Sequence, residues 1–172
     1  MKYRIIAVAI LLYVTSFLQA NLLAVVTPFG VRLLLPLALS VVTGLLRGTF
    51  ESVLMGFLYG MAMDMLMGRT LGLHAVLYAT VAGLLSLVNE KLYREKILIQ
   101  VSFSMAAVLV TEVPYYLAIF LLRGYGSFGT AFMTLILPVI LLNSVLVLPL
   151  YHPIARMYGR LDVLDRKRNR LG

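Results

Sequence analysis

Asp64, His74 and Glu112 are the residues of this 172-residue chain best equipped for chemistry in otherwise apolar surroundings. Two carboxylates and an imidazole could line a polar cavity and anchor a small polar solute. Asp64 stands in a periodic stretch, GFLYGMAMDMLMGRTLG, where Gly56, Gly60, Asp64, Gly68 and Gly72 recur at every fourth residue. Ser52, Gly48 and Gly44 continue the series backwards. A step of four turns a helix by about 400°, so neighbours in the series share a face that drifts slowly around the cylinder. Such a face allows close backbone approach between membrane helices, where lipid tails are as apolar as Leu and hiding Leu gains little. A single helix over 44–72 would be about 42 Å long against a hydrocarbon core of about 30 Å, so breaks are expected at 47–51 and 68–72.

An acid on that face must meet a polar partner or cavity inside the bundle, because facing lipid is costly. Arg69, Arg123 and backbone groups freed near Pro114 are local candidates for Asp64 and Glu112. At position 64 a hydrogen-bonding group, rather than charge itself, is expected to be required.

Other chemistries find little support. With no cysteine and two histidines, the chain has neither disulfides nor the convergent ligands that a metal site needs, and HExxH spacing is absent. No nucleophile elbow, phosphate-binding loop or paired catalytic acids can be found. Ser102, Ser104 and Thr111 lie near Glu112, but their helix offers no histidine or lysine as base. The reading is of a protein that is not an enzyme and carries no cofactor or metal.

These residues must be positioned by membrane helices. The chain is 62% hydrophobic and 13% charged, with a mean hydropathy of +0.98. That composition belongs to polytopic membrane proteins. Six spans of about 20 residues fill the length and leave no room for a soluble domain. The expected helices cover about 5–26, 31–47, 50–67, 71–89, 97–122 and 130–151, followed by a basic tail at 152–172. A turn over 27–30 follows the first helix, which is read as uncleaved because the region around Leu18, Gln19 and Ala20 lacks a small residue at the −3 position. The second helix is the shortest, with Arg32 and Arg47 expected to snorkel outward from its ends.

Charge sets the orientation. With six spans and both termini in the cytoplasm, twelve basic residues lie inside and only Arg32, Arg69 and Arg123 outside, as the positive-inside rule demands. The net charge of +8 therefore points to anionic lipid headgroups rather than nucleic acid. In this topology Asp64, Glu112 and His74 all fall in the outer half, where they could line an outward-opening polar cavity.

The segment GxxxGxxxDxxxGxxxG at 56–72, followed by LeuGlyLeuHis at 71–74, resembles the bacterial rod shape-determining MreD family. The length, six spans, basic loop after the fourth helix and basic tail agree with it. The resemblance implies a non-enzymatic, multi-pass subunit of the cell-elongation machinery in the bacterial cytoplasmic membrane. Its implied partner is MreC, and through it RodA, a penicillin-binding transpeptidase and MreB filaments. It also implies a bundle similar to the substrate-binding subunits of energy-coupling-factor vitamin transporters. The motif residues carried over are Gly56, Gly60, Asp64, Gly68, Gly72 and Leu73. Their small-residue surface could receive a partner's helix, serve packing within the chain, or meet a second copy as a homodimer. The rival reading is a transporter subunit binding a solute at Asp64, His74 and Glu112. Against it, Ala7-x-Ala9 does not form the AxxxA pattern of such subunits, and Ala20-xxx-Ala24 lies near the wrong end of the helix.

Overall fold

The computed structural model describes residues 2–21, 33–67, 72–89, 97–123 and 137–169, with the single residues 129 and 133. These residues form an all-helical fold: α1 (Lys2–Asn21), α2 (Leu35–Leu46), α3 (Thr49–Met67), α4 (Leu73–Asn89), α5 (Ile97–Arg123) and α6 (Leu137–Asn169). Among the described residues there is no strand. One described helical segment, Leu137–Val163, is both long and apolar enough to cross a membrane. Ile6–Asn21, Leu35–Leu46, Leu73–Val88 and Gln100–Pro114 are shorter apolar helices.

The bundle is arranged around its shortest member. The 12 residues of α2 span about 18 Å. Every residue from Leu35 to Leu45 is buried, and α2 touches all five other helices. It starts at Leu35, later than the expected 31, because Pro36 suits the first turn, where its missing N–H costs no helical bond. It stops where Arg47 turns to extended backbone, with the Arg47 N–H donating to the Thr43 carbonyl at 2.9 Å.

The most extensive pairing is between α3 and α4, which run antiparallel with Gly60 opposite Ala75 and Gly56 opposite Tyr78. The remaining side of α2 is covered chiefly by α6, with which α5 also packs. Four hydroxyls inside these helices are satisfied locally. Thr15, Ser40, Thr43 and Ser144 each donate to the carbonyl four residues earlier, at 2.6–2.8 Å. Apolar helices can therefore carry them without a partner elsewhere.

The last helix differs most from expectation. Instead of ending at 151 before a separate tail, α6 continues through Asn169 and is 33 residues, about 50 Å, long. Pro149 and Pro153 lie within it. Each proline removes one helical hydrogen bond, yet the helix persists because its extension has its own packing: Ile154, Tyr158 and Leu161 are buried against the bundle. The expected end of the first helix and its turn at 27–30, the loop at 91–96 and the start of the sixth helix at 130 lie outside the described residues.

Candidate functional site

Helix α4 begins without a capping side chain of its own. Residue 72 is a glycine in the left-handed region, φ +95°, and the first intrahelical bond runs from the Val76 N–H to the Gly72 carbonyl at 3.1 Å. The N–H groups of residues 72 to 75 are thus left without helical acceptors. Asp64, reaching across from the end of α3, takes three of them. Its Oδ2 accepts from the N–H of Gly72 at 2.9 Å and of Ala75 at 3.1 Å, while its Oδ1 accepts from the N–H of His74 at 3.2 Å. His74 Nδ1 lies 2.7 Å from the same Oδ1. A carboxylate offers only acceptors, so Nδ1 carries the proton in this contact. Both side chains are buried, and the His74 ring meets Tyr78 edge-on at 5.7 Å. The negative charge also sits at the positive end of the α4 dipole.

The glycines let Asp64 approach so closely. A Cβ on Gly60 would collide with the backbone of His74 and Ala75, and one on Gly56 would lie 2.5 Å from the Tyr78 carbonyl oxygen. A Cβ on Gly44, in α2, would lie 2.9 Å from the Ala82 carbonyl oxygen. Three glycines of the series thus press on the same helix. Gly48, in the α2–α3 corner, faces open space. Ser52 closes that corner, its hydroxyl 3.2 Å from the carbonyls of Thr43 and Arg47. Leu73 opens α4, and Gly68 lies outside the described residues.

A second helix start is built alike. Residues 34 and 35, at the head of α2, are leucines and cannot cap it. The Leu34 N–H donates to Asn143 Oδ1 of α6 at 2.6 Å, and the Leu35 N–H to Gln19 Oε1 of α1 at 3.0 Å. Gln19 returns a bond from Nε2 to the Leu33 carbonyl at 2.9 Å. At the other end of α2, Arg47 is held rather than snorkelling outward. Its guanidinium donates to both carboxylate oxygens of Asp162 in α6 at 2.9 and 3.0 Å, and lies over the Tyr158 ring, 4.3 Å from its centre. Glu51 stands 3.6 Å away. Neither Gln19, Asn143 nor Asp162 stands out as a site residue in the sequence. The available signal was a proline-bearing helix start with no local cap, together with the amides Gln19 and Asn143 within apolar runs of two other helices.

Glu112 is not brought into this arrangement. It is buried on α5, but among the described residues no hydrogen bond or ion pair joins it to Asp64 or His74. Its neighbour Thr111 spends its hydroxyl on the carbonyls of Ala107 and Val108, both at 3.0 Å, and Ser102 is exposed. Among the described residues no group of three metal-ligating side chains converges. The arrangement of Asp64 and His74 fastens helices together; its hydrogen bonds are used within the chain.

Comparison with known proteins adds one result. The family model of the rod shape-determining protein MreD matches residues 2–161. No curated protein and no solved structure matches the chain.

Proposed function

The chain belongs to the MreD family of rod shape-determining proteins, and from that premise we propose that it is a non-enzymatic, multi-pass scaffold of the cell-elongation machinery in the bacterial cytoplasmic membrane. MreC would be its direct partner. RodA, the penicillin-binding transpeptidase and MreB filaments would be reached through it. The observation that carries this reading is where the conspicuous polar groups are spent. Asp64 caps a helix and holds the His74 ring, so both of its carboxylate oxygens are engaged within the chain. That counts against the transporter-subunit alternative.

A six-span arrangement with both ends in the cytoplasm is supported by two features. The charge asymmetry favours it, and apolar side chains stand exposed along α1 (Ile6, Ile10, Tyr13, Val14, Phe17) and α4 (Val76, Leu84, Leu87, Val88). Faces like these suit lipid or a neighbouring helix. Because Gly44, Gly56 and Gly60 are already filled by α4, the proposed partner helix docks on one of these outer faces instead.

Gentle affinity purification from native membranes tests the proposal. The expected companions are a single-span protein with a periplasmic coiled coil and the wall-synthesis enzymes. Recovery of ATP-binding subunits with a bound small molecule would overturn it.

A further inference from the structure

Helix α6 has two unlike faces over its last turns. At 100° per residue, Ile154, Tyr158, Leu161 and Asp162 point one way and Arg156, Gly159, Arg160 and Val163 the other. The first group is turned to the bundle and to Arg47. The second group is exposed and lines one open groove of about 530 Å³. Gly159 has nothing near its Cα on the side-chain side, so the groove floor is open.

Arg156 and Arg160 stand one turn apart on this floor. Two acids of this region face Arg47: Asp162 through two hydrogen bonds, and Glu51 at 3.6 Å. Among the described residues neither arginine has an acidic partner. Both fall within the segment Leu137–Val163 that is apolar enough to lie in a membrane. Two guanidinium groups with no acidic partner among the described residues, at the end of such a segment and beside an apolar groove, call for an anion with an apolar body.

We infer that Arg156 and Arg160 bind the phosphate of an anionic phospholipid of the cytoplasmic leaflet, with an acyl chain lying along Gly159 and Val163. A guanidinium fork matches phosphate oxygens in geometry as well as charge. The α6 extension then lies in the headgroup layer rather than free in the cytoplasm. This rests on the orientation proposed above, which can be tested separately.

The full chain, purified in mild detergent and supplied with phosphatidylglycerol or phosphatidylcholine, is measured by native mass spectrometry. R156Q/R160Q is expected to lower retained phosphatidylglycerol by about tenfold or more, because each glutamine removes a charge-assisted guanidinium–phosphate contact in addition to the diffuse attraction that any basic residue near a lipid surface has. The charge-matched control K167Q/R168Q should lower it much less. V163E, which leaves both arginines in place, should also expel the lipid by putting a negative charge in the groove. Equal losses from both double variants, or undiminished binding in V163E, would overturn the site in favour of diffuse charge. So would a double variant that keeps its lipid but loses a co-purifying protein, which would mean an acidic peptide occupies the groove. Orientation has its own readout. The chain has no cysteine, so V163C can be labelled in intact and in permeabilised cells. Labelling only after permeabilisation is expected, and labelling of intact cells would refute the orientation whatever the lipid result.

Discussion

Asp64 does for α4 what a serine or aspartate at the helix start does in most helices, but from eight residues away. Both of its oxygens are engaged by N–H donors, which makes the site stricter than a general need for polarity. An asparagine keeps one acceptor and turns an NH2 toward donors on the other side. Each buried N–H left unsatisfied costs about 1–3 kcal/mol. Asp64→Asn is therefore expected to destabilise the bundle by about that amount, and Asp64→Leu by clearly more, as measured by thermal unfolding in mild detergent. A variant with asparagine as stable as the original would sink the account. The expectation that hydrogen bonding alone suffices at position 64 is thus narrowed: two acceptors are used. The sequence shows that Asp64 needs polar partners and offers Arg69, Arg123 and backbone groups freed near Pro114; Arg69 and the side chain of Arg123 lie outside the described residues. Among the described residues its partners are three backbone amides and the His74 ring; amides have no letter in a sequence and are left free for such a contact only where a helix begins.

At the scale of elements, the fourfold series is a contact surface between α3 and α4, extended by Gly44 from α2. Its use of glycine is steric. Ala at position 60 would drive a methyl into the backbone of α4, forcing the pair apart at a cost of about 1–3 kcal/mol. Gly60→Ala should lower the melting temperature, whereas Gly48→Ala, at an open position of the same series, should leave it almost unchanged. Equal effects would mean that the series acts through backbone entropy and not through contact. The breaks in this series were legible, because chain length and bilayer thickness conflict. The face that the glycines meet was not legible, because a small-residue stripe fits a partner's helix as well as one's own. The length of α6 was hidden for a different reason. The basic run after His152 reads as a tail beyond the last span, and only the tertiary contacts of Tyr158 and Asp162 reveal that the helix continues.

Across the whole molecule, α6 holds α2 at both ends, through Asn143 at its start and Asp162 at its close. The tie at the close of α2 is the weaker in energetic terms, because Asp162 is partly exposed and such pairs contribute about 1 kcal/mol or less. Asp162→Asn should accordingly leave the bundle folded but expose the segment beyond residue 152 to added protease in opened cells. Proteolysis no faster than in the unaltered protein would show that the buried residues Ile154, Tyr158 and Leu161 hold the extension without the ion pair. The other tie has a meaning for biosynthesis. Asn143 follows Leu34 by 109 residues. A ribosome adding about 5–20 residues per second needs roughly 5–20 s to cover that interval. Through that time the central helix has received Gln19 but not its second cap, and the last helix to be translated is the one that completes the second. A chain released early would therefore carry its defect at the centre rather than at the missing end, where membrane quality control could recognise an open helix start.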